Sequence, residues 1–333
     1  MESNGQTDNL PRHPEAPVMN RLAIAVLDDY QGVALSMADW SEVRAIADVE
    51  VFQDHLQDED ALVKRLLPFD VVCVMRERTP LTRSVISRLP RLRLIASTGP
   101  RNRAVDEAAA AERGIGVAGT GYFSEPAIEM TWALILGSVR HLAGETANFR
   151  AGGWQTSVGS DLHGKTLGIL GLGNIGAKVA AIGQAFGMRV VAWSQNLTEE
   201  RARAAGVQYV AKDELFRTAD VVTIHLILSE RTRHLVGTDE LSLMKRSARL
   251  VNTSRGPLVD EHALIEALRR GDLAGAALDV FDQEPLPLDH PYRVLPNVLA
   301  TPHVGYVTEN LYRTFYADTV RNILQWARAN ALA

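Results

Sequence analysis

The sequence predicts an α/β protein of two domains, each a doubly wound parallel sheet with helices on its faces. Three observations predict it. Short apolar runs alternate with helical stretches from residue 22 to residue 300, the pattern of parallel strands joined by crossover helices. A glycine fingerprint, Gly171, Gly173 and Gly176 at G-x-G-x-x-G spacing, stands between one such strand and a helix. Three polar clusters then follow three strands downstream of it, where an open α/β sheet builds its site.

Taken in order, residues 22–27 form an apolar strand ending in Asp28-Asp29, and 49–52, 71–75, 92–96 and 115–118 are the next strands. A helix over 58–67 separates the second from the third. These residues form the smaller α/β unit, which has no glycine fingerprint. Ser124 then caps a long helical run with Pro126 tolerated in its first turn. Ile128, Trp132, Ile135, Leu136 and Val139 fall on one face of it, and Gly152-Gly153 end it.

The fingerprint unit is Rossmann-like. Residues 167–170 are a buried strand, a helix runs to Phe186 with Gly187 as its stop, and 189–193 are the second strand. Gly171 permits the tight turn, Gly173 lets backbone approach a pyrophosphate and Gly176 lets the helix pack on the strand. The diphosphate meets the free N–H groups and positive end of that helix. Strands at 221–226, 250–253, 275–280 and 298–300, with helices from Thr198, Asp213, Thr238 and Asp260, complete a sheet of six or seven strands. A last helix, 308–331, carries Leu311, Phe315, Val320, Ile323, Leu324 and Trp326 on a face and returns to the first unit. The domain layout is therefore a disordered leader at 1–20, a discontinuous substrate-binding domain at 21–120 plus 302–333, and a dinucleotide-binding domain at 121–301.

Composition narrows the function. The 333 residues suffice for two domains, and 46% hydrophobic with 23% charged content is that of a soluble globular protein. A net charge of -5 offers no basic footprint for nucleic acid. No apolar run is long enough for a membrane helix, and the polar leader lacks a signal-peptide core, so the cytoplasm is the expected compartment. The single cysteine, Cys73, lies in an apolar run as a buried bystander; no thiolate metal site is expected.

The polar clusters are 252–256, holding Arg255; 279–285, holding Asp279 and Glu284; and 301–305, holding His303. Their residue types fit one job. A hydride transfer needs a proton partner, and histidine is the side chain closest to neutrality for it. A carboxylate beside that histidine favours its charged form and orients it. An arginine forks onto the carboxylate and carbonyl of a 2-oxo acid. Each residue alone is more often structural; the combination and order carry the case.

The words GLGNIG at 171–176, NTSRGPLVDEHALIEAL at 252–268, GAALDVFDQEP at 275–285 and TPHVGY at 301–306 resemble the D-isomer-specific 2-hydroxyacid dehydrogenase family, which includes glyoxylate/hydroxypyruvate reductases and phosphoglycerate dehydrogenases. The likeness covers residues 22–326. It implies that Arg255 binds the substrate carboxylate and carbonyl, that His303 is the acid/base and that Glu284 is its partner. It places Asp279 near the nicotinamide carboxamide, and Thr131, Asn174, Ile175, His225, Thr232, Thr253 and Gly305 at cofactor contacts. Ser97, Thr98 and Gly99 would lend backbone N–H groups to the substrate carboxylate. A deep cleft between the two Rossmann-like domains and a homodimer are likewise implied.

The chain departs from the family pattern in places. Ser194 stands where an Asp usually binds the ribose hydroxyls of NAD, which removes repulsion against a 2′-phosphate and favours NADP over NAD. No Arg or Lys follows at once; Arg201 and Arg203 come later. Pro100 removes one possible carboxylate donor, leaving Arg101 or Arg103 to reach the substrate instead. Ile227 replaces a usual proline. Arg76 is a candidate second anion contact, to be weighed against a surface arginine at a strand end. The resulting expectation is an NAD(P)-dependent oxidoreductase that reduces a small 2-oxo acid to the D-2-hydroxy acid. The alternative is a dinucleotide-sensing binding protein of the corepressor type, which can retain the same Arg, Glu and His.

Overall fold

The computed structural model describes residues 21–332. The leader at 1–20 and Ala333 lie outside the described residues. The chain forms two compact units and passes from one to the other between Gly121 and Tyr122 and again between Tyr312 and Arg313.

The first unit holds a five-stranded parallel sheet of β1 (Leu22–Val26), β2 (Ala47–Val51), β3 (Val71–Val74), β4 (Leu94–Ser97) and β5 (Gly116–Gly119). Its order is β2-β1-β3-β4-β5. Every residue of β3 and β4 is buried, whereas the edge strands β2 and β5 alternate. Central strands covered on both faces read as continuous apolar runs, which is why these were legible as sequence. Asp58, Thr82 and Asp106 cap the helices that follow them, each side chain accepting a backbone N–H three residues on. Leu62, Leu66, Val72, Ile86 and Ile95 fill the core between helices and sheet. Cys73 is buried as well, and burial pushes its thiol up to about 12.

The chain leaves β1 for β2 on one side and reaches β3 on the other, so the loops after β1 and β3 part at the carboxyl edge. A polar cluster fills that point. Asp28, buried and left-handed at φ +57, accepts Thr79 Oγ1 at 2.6 Å and lies 2.9 Å from His55 Nδ1. Its carbonyl accepts Arg78 Nη1 at 2.7 Å.

The second unit holds a seven-stranded parallel sheet: β6 (Thr166–Leu170), β7 (Arg189–Trp193), β8 (Gln208–Tyr209), β9 (Val221–Ile224), β10 (Arg249–Asn252), β11 (Gly275–Leu278) and β12 (Val298–Ala300). The order is β12-β11-β10-β9-β6-β7-β8, doubly wound about β6 and β9. Register aligns the carboxyl ends: Leu170 faces both Trp193 and Ile224, and Leu278 faces both Asn252 and Ala300.

The structure corrects the sequence reading in three places here. The long helical run is two helices, Glu125–Val139 and Leu142–Arg150, parted at His141 with φ +52. The first buries Thr131 and Ile135 completely, while the second buries nothing. Ser124 makes no capping bond; its Oγ accepts Asn174 Nδ2 at 3.3 Å instead. Finally, residues 302–312 group with the second unit rather than the first, because Val304 and Gly305 are hydrogen-bonded to the end of β11. The last helix, Glu309–Ala329, therefore begins in one unit and ends in the other.

Candidate active site and coenzyme site

The glycine turn is shaped for close approach. Gly171 has φ +100, and a Cβ there would stand 2.6 Å from the His225 carbonyl oxygen. A Cβ on Gly176 would overlap the Gly171 carbonyl oxygen, so the helix Asn174–Ala185 can sit on β6 only with glycine there. Gly173 differs: a Cβ there would meet nothing within 4 Å. The protein itself does not need that glycine, and the space it leaves lies at a helix N-terminus without a side-chain cap. That is the cradle a pyrophosphate needs, so these residues suit a dinucleotide.

Around the turn, Thr131 Oγ1 lies 2.7 Å from Thr253 Oγ1, joining the helix to the loop after β10. His225 Nε2 is 3.0 Å from Thr223 Oγ1, and burial pushes its imidazole down to about 3, so it stays neutral. Thr232 donates to the Ile227 carbonyl at 2.7 Å and accepts the Ser229 N–H at 2.8 Å, which folds the loop after β9 on itself. Ile175 is half-buried against the core, and Ser194, half-buried, follows β7.

The three polar clusters fall at the carboxyl ends of three adjacent strands, β10, β11 and β12. After β10, Asn252 Nδ2 donates to the Arg255 carbonyl at 2.9 Å and Ser254 Oγ donates to the Ile224 carbonyl at 2.7 Å. Arg255 itself is half-buried, with Nη1 donating to the Ser254 carbonyl at 2.7 Å. Gly256 follows because a Cβ there would overlap the Phe281 carbonyl, so the Arg255 loop lies directly on the loop after β11.

That second loop presents Asp279 and Glu284. Glu284 Oε1 accepts the Phe281 N–H at 2.9 Å, while Oε2 lies 2.6 Å from His303 Nδ1. The imidazole is left-handed at its backbone (φ +51) and packs edge-on to Tyr306, centroids 5.2 Å apart. Asp279 is 1% exposed and accepts three bonds: Thr301 Oγ1 at 2.6 Å, the Val304 N–H at 2.9 Å and the Gly305 N–H at 2.7 Å. Burial pushes its carboxyl above the usual range despite those donors. Asp279 thus fastens the loop that carries His303. The structure brings Arg255, Glu284 and His303 onto neighbouring loops of one unit, with a buried carboxylate bracing them.

The first unit's loop behaves differently from its expected role. The Thr98 N–H donates to the Val74 carbonyl at 3.1 Å and the Gly99 N–H donates to Thr120 Oγ1 at 2.7 Å. Two of the three N–H groups expected to meet a substrate carboxylate, those of Thr98 and Gly99, already have acceptors inside the unit. Ser97 Oγ accepts Asn102 Nδ2 at 3.0 Å. Arg76 covers this loop instead: its N–H donates to Thr98 Oγ1 at 2.7 Å, Nη1 reaches the Thr98 carbonyl at 3.3 Å, and a Cβ on Gly99 would overlap the guanidinium. Sequence reasoning missed Arg78, Thr79 and His55, which join at Asp28; the Asp28-Asp29 pair ending a strand was the available signal.

Among the described residues no group of His, Cys, Asp or Glu could hold a metal ion, and no helix is long and apolar enough to cross a membrane.

Comparisons with known proteins agree with this geometry. Residues 132–305 match the family described as D-isomer specific 2-hydroxyacid dehydrogenase, NAD binding domain. The chain is 40% identical over 254 residues to the glyoxylate reductase of Aeropyrum pernix, covering 73% of this chain and 76% of that one. It is 37% identical over 287 residues to the D-3-phosphoglycerate dehydrogenase of Methanocaldococcus jannaschii, covering 84% of this chain but only 54% of the relative, about half its length. Among solved structures, the phosphoglycerate oxidoreductase from Vibrio cholerae O395 is similar at a TM-score of 0.88 and 37% identity, covering 92% of this chain and 99% of that one.

Proposed function

The chain belongs to the D-isomer-specific 2-hydroxyacid dehydrogenase family, and from that premise we propose that it reduces a small 2-oxo acid to the D-2-hydroxy acid with NADPH or NADH. The observation that carries the reading is the 2.6 Å contact between His303 Nδ1 and Glu284 Oε2, on a loop packed against the one bearing Arg255. The nicotinamide, when bound, supplies the hydride to C2 of the acid.

Everything else falls to the protein. Arg255 forks onto the carboxylate and the carbonyl oxygen, drawing charge toward that oxygen as it develops. His303, charged and held by Glu284, gives the proton to the oxygen from its other ring nitrogen. Glu284 steadies the cation until transfer, and Asp279 keeps the histidine loop in register. In the reverse direction neutral His303 takes the proton back. Thr131, Asn174, Ile175, Ser194, His225, Thr232, Thr253 and Gly305, with the glycine turn, are the proposed coenzyme contacts.

In the first unit, Arg76 over Ser97, Thr98 and Gly99 is the proposed anion contact, replacing the loop's own engaged N–H groups. A second copy of the chain is proposed to cover Leu142, Phe149 and Trp154, which are 53%, 65% and 73% exposed on one stretch of the second unit.

The test is initial-rate oxidation of NADPH and NADH against glyoxylate, hydroxypyruvate, pyruvate, 2-oxoglutarate and phosphohydroxypyruvate, with His303→Ala as the blank. Turnover that vanishes in the blank supports the reading. No turnover on any acid, with coenzyme still bound tightly, overturns it.

A further inference from the structure

The end of β7 lacks both a carboxylate and an adjacent cation, so sequence alone leaves the coenzyme's ribose without a partner. The structure brings a cation there from elsewhere. Arg231 sits in the loop after β9, and its Nη2 and Nε donate to Gln195 Oε1 at 2.7 and 3.1 Å. Gln195 follows Ser194, the residue at the usual ribose position. Because β6 lies between β7 and β9, this contact crosses over the end of the strand that feeds the glycine turn.

Further observations bear on what Arg231 does. Its acceptor is a neutral amide oxygen, and no ion pair to a carboxylate joins it among the described residues, so its full charge remains available to an anion. The loop is folded on itself at its root, where Thr232 Oγ1 accepts the Ser229 N–H and donates to the Ile227 carbonyl. Ile227, in the same loop, is 75% exposed, an apolar surface of the kind a purine ring covers. Arg203, one of the cations that follow β7 in sequence, is instead drawn to Glu199 at 3.0 Å.

We propose that Arg231 is the coenzyme-selecting residue: its guanidinium takes the 2′-phosphate of a 2′-phosphorylated adenine dinucleotide, with Ser194 and Gln195 completing the pocket. The inference rests on the dinucleotide reading of the second unit and is independent of which acid is reduced. Arg231 gives up the amide oxygen of Gln195 for two phosphate oxygens, a fork-on-anion geometry that a lysine reproduces only as a point charge.

The experiment is isothermal titration of the full-length protein with 2′,5′-ADP and with 5′-ADP, which differ by the 2′-phosphate alone. The wild type is expected to bind 2′,5′-ADP at least about tenfold more tightly, a gap that narrows with added salt. Arg231→Ala should abolish the gap while leaving 5′-ADP affinity within about threefold, and Arg231→Lys should restore part of it. Equal binding of both nucleotides by the wild type, or equal weakening of both in Arg231→Ala, overturns the assignment. Failure of both nucleotides to bind overturns the dinucleotide reading with it. Binding with the expected gap, but no turnover on any 2-oxo acid, would instead leave Arg231 in place and remove the dehydrogenase reading.

Discussion

The Gly305 N–H donates to Asp279 Oδ2 at 2.7 Å, so the segment carrying His303 is fastened to the end of the neighbouring strand by a carboxylate that is almost wholly buried. Burial raises the Asp279 pKa, and the native state therefore binds that proton more tightly than the unfolded chain does. The favourable contribution is complete below the unfolded value, about 3.9, and is lost as pH rises through the raised native value. In Asp279→Asn this titration is gone. Urea unfolding from about pH 3.5 to pH 6 should show the stability advantage of wild type over Asp279→Asn shrinking as pH rises; a constant or growing gap would contradict the burial account. Turnover of the variant should fall by about tenfold or more at neutral pH, through the loosened histidine loop.

His303→Ala should lower kcat by about 10²–10⁴-fold, the ordinary contribution of a general acid. Coenzyme affinity should stay within about twofold, since the ring is not among the proposed coenzyme contacts. Glu284→Gln keeps the shape and removes the charge that holds the ring, so its kcat for reduction should fall by about tenfold or more. Stopped-flow rates of hydride transfer read both variants; an unchanged rate in Glu284→Gln would remove Glu284 from the proton step.

Two glycines of the same turn should respond in opposite ways. Gly173→Ala meets nothing in the protein and should change unfolding free energy by at most about 1 kcal/mol, the scale of a helix-cap change, while weakening NADP⁺ and NAD⁺ alike. Gly176→Ala meets the Gly171 carbonyl and should cost about 1–3 kcal/mol of stability by overpacking. Chemical denaturation paired with coenzyme titration distinguishes them, and an unstable Gly173→Ala would mean that its space belongs to the fold.

Trp154→Glu places a charge beside Phe149, whose ring centroid is 6.5 Å from that of Trp154. Sedimentation equilibrium should find a dimer in wild type and a monomer in the variant. A monomeric wild type, or a dimer untouched by the charge, would locate no self-association here.

What the sequence disclosed followed from local chemistry. Buried strands such as β3 and β9 are unbroken apolar runs, Asp260 and Gly271 bracket a helix with a cap and a left-handed stop, and the fingerprint fixes a turn whose glycines have steric reasons. Arg255, Glu284 and His303 were legible because adjacent parallel strands deliver their ends to one edge. Features set by distant partners were not. The strand β8 is two exposed residues with no periodicity to show, and no glycine or proline marks the break at His141. The acceptors of the Thr98 and Gly99 N–H groups come from other strands, and Arg231 reaches Gln195 across 36 positions of sequence. The assignment of 302–312 turned on Asp279, a residue legible as polar but not as a fastener.

The order of synthesis gives the division of the chain a final consequence. Residues 122–312 are continuous, so everything their unit needs has been translated before residue 313 is added. The first unit, although its sheet is translated earliest, must wait. Asn322 bonds to the Gly119 carbonyl at 2.8 Å, Arg93 lies over the Trp326 ring at 5.1 Å and Arg328 pairs with Glu42 at 3.0 Å, all supplied by the last turns of the chain. Domains are usually finished in the order they emerge. Here the first to appear is the later of the two to be completed, because its sheet waits for residues 313–329.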